Sequence, residues 1–273
     1  MENESARKRP ASSPPLTHRG RLLLIVGMAA AVVAAVVLVP LMLFGEEERE
    51  PRTLLIPEGR RSFQVYAVVD KALGVAPGTT AKAAGTADLK LPPEAGGNPE
   101  GYLFPATYPI DEGTTPASLL SYMVSTANKN FGSAPATYRN VAIASIVQAE
   151  ADTVEDMGKV ARVIDNRLAR GMPLQMDSTL NYALNRSTLD TTHADTKIDT
   201  PYNTYEHTGL PPTPIGNPGR QAMEAALEPP PGDWLYFVTV APGDTRFTGD
   251  YAEQRKNVEE FNANRRSAGG SGG

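Results

Sequence analysis

The chain holds three histidines and no cysteine, so most side-chain chemistries are closed to it before any fold is considered. Without cysteine there is no thiolate zinc site, iron–sulfur cluster, thiol nucleophile or disulfide framework. His18, His193 and His207 stand apart and none belongs to an H-E-x-x-H pattern, which leaves a zinc hydrolase without ligands. Ser145 lies in Ile143-Ala144-Ser145-Ile146, with no G-x-S-x-G elbow around it, and no phosphate-binding glycine pattern follows a strand. The remaining acid–base groups are carboxylates, and Glu150 is the most informative. On the apolar segment Asn140–Asp152, the residues three, four and seven positions before it are Val147, Ile146 and Ile143. Those spacings share a helical face, so Glu150 leaves an apolar stripe near the helix end. A partly desolvated carboxyl group holds its proton to higher pH and can donate it to a leaving oxygen. The competing reading is a glutamate at the edge of the core, paired with Arg162 or Arg167.

Aromatic residues supply the second signal. Tyr102, Phe104, Tyr108, Tyr182, Tyr202 and Tyr205 fall in stretches rich in Gly, Pro and Asn. Flat rings beside polar groups suit sugars, whose C–H faces pack on aromatic surface while their hydroxyls find partners; ordinary core packing is the alternative for each ring. Glu100, just before this cluster, is a second carboxylate, readable also as a loop acid or a helix cap. With 26 basic against 31 acidic side chains and net charge −5, the chain does not bind nucleic acid through bulk electrostatics.

Several of these residues sit in ordered motifs. Glu100-Gly101-Tyr102-Leu103-Phe104-Pro105-Ala106-Thr107-Tyr108 is followed by Ala144-Ser145-Ile146-Val147-Gln148-Ala149-Glu150, Asn166-Arg167-Leu168 and Leu174-Gln175-Met176-Asp177-Ser178-Thr179. Then come Pro201-Tyr202-Asn203-Thr204-Tyr205, Gly209-Leu210-Pro211-Pro212-Thr213-Pro214-Ile215, Trp234-Leu235-Tyr236-Phe237-Val238 and Phe247-Thr248. This series resembles the MltG-type (YceG-like) endolytic murein transglycosylases over roughly residues 100–260. Ile56-Pro57-Glu58-Gly59 resembles the start of that family's LysM-like subdomain. The resemblance implies a single-pass membrane enzyme cutting peptidoglycan strands within the chain, without metal or organic cofactor. It places the catalytic carboxylate at Glu150; where many members carry another glutamate two positions earlier, this chain has Gln148. Glu100, Tyr102, Gln175, Asp177, Tyr202, Asn203 and Tyr205 follow as substrate-binding candidates from motif density.

The reaction so implied is lytic cleavage of the MurNAc-β-1,4-GlcNAc bond. Glu150 protonates the glycosidic oxygen, then takes the proton of the muramic C6 hydroxyl as that oxygen closes on C1, leaving a 1,6-anhydroMurNAc end. Two rivals stand beside it. A hydrolytic muramidase would need a second carboxylate, Glu100 or Asp177, and a non-catalytic scaffold would only bind glycan. The implied partners are peptidoglycan strands, the lipid bilayer, and peptidoglycan polymerase or division-complex proteins.

The elements that must carry these residues begin with an anchor. Residues 22–45 hold no charged side chain. As a helix at about 1.5 Å per residue they reach roughly 36 Å, enough for a hydrocarbon core of about 30 Å. Residues 1–21 have net charge +3 and the far flank opens with Glu46, Glu47 and Glu48, so the N-terminus is expected in the cytoplasm and residues 46–273, net −8, outside a bacterial cell membrane. The expected organisation is α+β: a basic disordered segment 1–21, a transmembrane helix 22–45, a linker and LysM-like subdomain 46–98, a catalytic domain 99–264 and a flexible tail 265–273. Strands are expected at 53–56 and 234–240 with a hairpin arm near 246–248. Helices are expected near 63–73 after an N-cap at Ser62, and near 116–128, 139–151, 156–170, 177–184, 218–227 and 251–264, with one short helix in 75–99.

Overall fold

In the computed structural model the described residues are 52–131, 137–186 and 191–269, together with Met28, Val32 and Val36. The chain divides into two units, Met1–Glu50 and Pro51–Gly273. The expected transmembrane run and the basic segment before it lie outside the described residues, except that Met28, Val32 and Val36 are helical and exposed. No helix among the described residues is long and apolar enough to cross a membrane.

The second unit is a mixed α+β body. Strand β1 (Arg52–Leu55) pairs antiparallel with β2 (Thr107–Ile110), Leu54 opposite Tyr108. Leu54, Tyr108 and Ile110 face the core. β2 is not among the expected strands, because a four-residue strand containing Pro109 carries almost no periodic signal and lacks one ladder N–H. Between the two strands lie helices α1 (Ser62–Leu73) and α2 (Thr79–Thr86). Gly74, at φ 66, closes α1 in the left-handed region that an L side chain avoids. The buried Asp70 then accepts hydrogen bonds from the N–H groups of Gly78 and Thr80 and from the Thr80 hydroxyl, at 2.6–2.8 Å, which fixes the start of α2. This β1–α1–α2–β2 unit ends at Ile110, so its second strand lies beyond residue 98, where the first folded segment was expected to stop.

The larger part is helical. Helices α3 (Pro116–Phe131), α4 (Thr137–Glu150), α5 (Val154–Ala169) and α7 (Arg220–Leu227) enclose the main core, with α4 packed against both α5 and α7. Residues Val141–Val147 are all buried. That revises one expectation: the middle of α4 presents no single apolar stripe but is surrounded, and only its first and last turns reach the surface. A turn, Ala151–Thr153, connects it to α5, where the Thr153 hydroxyl accepts the Asp156 N–H at 3.1 Å as an N-cap. Short helix α6 (Asp177–Ala183) follows. The hairpin β3 (Tyr236–Ala241)/β4 (Asp244–Thr248) then packs under α8 (Tyr251–Gly269). β3 begins two residues later than expected, because the Trp234 carbonyl accepts from Asn166 Nδ2 at 2.8 Å.

Candidate active site

Glu150 closes α4, and three features of that position set its chemistry. Its carboxyl stands at the negative end of the helix dipole, which disfavours a charge there. The first turn of α6 faces it, and Ser178 N–H donates to Oε1 at 3.3 Å. Burial, the largest effect, pushes the carboxyl above its ordinary range; the Ser178 contacts pull the other way, and the charge of Asp177 pushes it further up. The result is a carboxylic acid inclined to keep its proton. Neither arginine proposed as a partner reaches it. Arg162 donates to the Pro229 and Pro230 carbonyls, both at 2.6 Å. Arg167 is buried and donates to the carbonyls of Leu235, Pro173 and Leu174. The core-edge ion pair is therefore absent.

A cleft of about 520 Å³ opens over Glu150. Asp177, Ser178, Asn181 and Arg186 from α6 and just beyond it form one wall, and Pro57–Arg61 with Gln64 form the other. The second wall was not foreseen as part of the site. Its Ile-Pro-Glu-Gly motif was visible, but nothing local shows that the loop folds back over α4. Asn217 is the reason that it does. Fully buried, it donates from Nδ2 to Arg60 O at 2.7 Å, accepts the Leu103 N–H at 2.7 Å, and through its own backbone receives Gly59 N–H and gives its N–H to Arg60 O. Gln148 holds the neighbouring turn, accepting Gly219 N–H at 2.9 Å.

The other motifs arrange the loop carrying Asp177. Gln175 takes the left-handed conformation at φ 52, held by its N–H to Thr204 O at 2.9 Å and by Arg167 donating to its Oε1 at 3.2 Å. Thr204 Oγ1 accepts Met176 N–H, and Tyr205 donates its hydroxyl proton to Asp177. Burial, and then Asp177 itself, push the Tyr205 phenol well above its usual range. Asn203 is fully buried; both its amide protons are engaged by Thr196 O and Ile198 O, and its oxygen accepts Tyr205 N–H. It organises the loop and presents nothing to a sugar, contrary to expectation. Gln175 is exposed but lines no cleft described here.

Glu100 is elsewhere. It is 4% exposed and accepts Ser62 N–H at 3.0 Å, the Tyr182 hydroxyl at 3.1 Å and Asn217 Nδ2 at 3.3 Å. Burial pushes its pKa up to about 7, against the pull of Ser62, Tyr182 and the Arg61 charge. Gly101 makes this placement possible: it sits at φ 87, and a Cβ there would stand 2.7 Å from Pro214 and from Val141. Tyr102, 1% exposed, is a core residue rather than a cleft residue. Tyr202 is half-buried, its hydroxyl 2.8 Å from Thr213 Oγ1 and its ring 5.1 Å from that of Tyr182. Thus Glu150, Asp177 and Tyr205 come together, Glu100 and Tyr202 form a neighbouring group, and Tyr102 and Asn203 belong to the scaffold. Among the described residues no cluster of histidine and acidic side chains could hold a metal ion.

The described body is thus α+β, with a cleft-lining glutamate at the end of its central helix. The YceG-like family matches residues 17–260, and the chain belongs to it. A yceG-like protein from Listeria monocytogenes has a similar crystal structure, with TM-score 0.68 and 30% identity over 76% of each chain. The chain is also 38% identical over 174 residues to an endolytic murein transglycosylase of Bacillus subtilis, covering 59% of this chain and 48% of that protein. It is 37% identical over 175 residues to one of Streptococcus pneumoniae, covering 59% and 32%. The chain thus spans about half, or less, of the length of these curated relatives.

Proposed function

We propose that this protein is an endolytic murein transglycosylase in which Glu150 does the proton chemistry. The observation that carries the reading is a half-buried glutamate whose carboxyl is raised above its ordinary range by desolvation, in an open cleft with Asp177 beside it. Protonated Glu150 donates to the glycosidic oxygen as the bond to muramic C1 breaks through an oxocarbenium-like state. The carboxylate so formed accepts the C6 hydroxyl proton while that oxygen bonds to C1, leaving an anhydro end and consuming no water. Asp177, oriented by Tyr205, contributes negative charge beside the cation that develops at C1. The names of the relatives agree with this chemistry.

The remaining parts of the proposal are topological. Residues 22–45 anchor the chain in the cell membrane with residues 46–273 outside, where nascent strands pass. The β1–α1–α2–β2 unit is the LysM-like part, and glycan polymerases or division proteins are its neighbours. Resistance of the full chain to alkaline extraction from membranes tests the anchor.

Hydrolysis is the second reading, favoured by one observation: Asp177 shares the cleft with Glu150, as a water-activating carboxylate would. Glu100 cannot take that part, being enclosed by its own donors. Mass spectrometry of glycan fragments separates the two, because lytic ends are lighter than reducing ends by one water. Anhydro ends that vanish with Glu150→Gln are the expected result; reducing ends alone would establish hydrolysis.

A further inference from the structure

A second cleft, of about 540 Å³, adjoins the first. Arg61 lines both, and its guanidinium is fixed where they meet, donating to Arg186 O at 2.9 Å and lying 5.2 Å from the centre of the Tyr182 ring. We propose that this second cleft is a distal glycan subsite, which grips the strand beyond the bond cut at Glu150. The proposal rests on the reading of the Glu150 cleft as a glycan site.

Its lining argues for a carbohydrate. Phe63 is 50% exposed at the cleft, Tyr66 is half-buried beside it, and Tyr182 and Tyr202 pack at 46° to one another. An isolated exposed phenylalanine means little. Here it is one of four rings lining the cleft with polar groups between them, where Asn98, Asn185 and Thr200 offer acceptors and donors. Flat apolar faces interleaved with fixed hydrogen-bonding groups match a sugar ring, which is apolar above and below and polar around its edge. A ligand held at both clefts must pass Arg61, so it is longer than the stretch of strand at the Glu150 cleft alone. This gives a physical basis for cutting within a strand: binding far from the reacting bond makes long substrates better than short ones.

The test uses Phe63→Ala in the full-length protein, because an exposed ring on the first turn of α1 can be removed without opening the core. For strands of about ten sugars or more, KM is expected to rise about fivefold with kcat kept, whereas kcat/KM for a tetrasaccharide stays within about twofold. Phe63→Trp, which keeps a flat face, should restore strand binding. A parallel arm measures binding of uncleaved strands to Glu150→Gln and to Glu150→Gln/Phe63→Ala, with and without stem peptides. Weakened binding of peptide-free strands supports the subsite. Equal loss on both substrate lengths, no loss on peptide-free strands, or loss only when stems are present overturns it; the last outcome would assign the cleft to peptide. If wild-type protein cleaves strands and Phe63→Ala is indistinguishable from it, the subsite alone fails. If wild-type protein cleaves nothing, the proposed activity fails while the binding arm still decides the subsite.

Discussion

Glu150 and Glu100 are both pushed upward by burial and both placed against the first turn of a helix, α6 for one and α1 for the other, but Glu150 is half-buried and Glu100 almost wholly enclosed. They differ in what surrounds the carboxyl. Glu100 receives a backbone N–H, a phenol and an amide, a set that fills most of its lone-pair positions. Glu150 receives one backbone N–H at 3.3 Å, has an acidic neighbour in Asp177, and faces an open cleft. Burial alone therefore does not mark a reacting group. A carboxyl whose donors are all internal holds the fold together, and one left with spare capacity at a cleft can exchange a proton with a ligand.

The sharpest way to break this comparison is to exchange each acid for its amide. Glu150→Gln keeps size and packing but cannot give up a proton, so strand cleavage should fall by about 10³-fold, within the usual range for a general acid. Thermal stability should be unchanged or higher, since a strained carboxyl is removed. Glycan-release assays beside thermal melts check both. Cleavage that survives with wild-type speed would make Glu150 as structural as Glu100.

Glu100 should instead show itself in stability against pH. Its ordinary value of 4.5 rises to about 7 in the folded protein, so the folded state binds the proton more tightly than the unfolded chain. Its stabilising contribution is full below about pH 4.5 and is lost as pH rises through 7. The shift corresponds to about 3 kcal/mol of stability between pH 4 and 8. Urea unfolding across this range should show the decline in the wild type and a flatter profile in Glu100→Gln. Identical profiles would mean that Glu100 is not the titrating group. Asn217→Ala, which strands the Leu103 N–H and loosens the 57–61 wall, should cost about 2 kcal/mol and weaken cleavage as well.

The same contrast explains how far the sequence could be read. Helices α1, α5 and α6 and the β3–β4 hairpin were legible because caps, glycine stops and alternation are local features. The place of Glu150 at the end of an apolar helix was legible from its spacing to Val147, Ile146 and Ile143, although the expected stripe proved to be a helix whose middle is buried on every side. What could not be read is long-range pairing. β2 exists because β1 offers it an edge, and the 57–61 wall stands over Glu150 because Asn217, far along the chain, donates to Arg60 O and accepts the Gly59 N–H. Asn203 shows the opposite error: a polar residue in a dense motif pointed toward substrate chemistry, but its amide is fully engaged within its own loop.

Tyr205 gives the finest division between a reacting and a supporting group. Its hydroxyl donates to Asp177 from a loop tied to 175–176 by Thr204, so the phenol orients Asp177 without lining the cleft itself. Tyr205→Phe removes that one bond and leaves the ring's packing. Without that bond Asp177 is no longer held beside Glu150, and its charge, which adds to burial in pushing Glu150 upward, acts from farther away. Two consequences follow with definite signs. kcat should drop by about five- to tenfold, the worth of one charge-assisted hydrogen bond, while KM for strands changes little. The alkaline limb of the kcat profile, where Glu150 loses its proton, should move toward lower pH. A purely structural tyrosine would lower stability without moving that limb, so the pH profile separates the two roles even if the rate loss is the same.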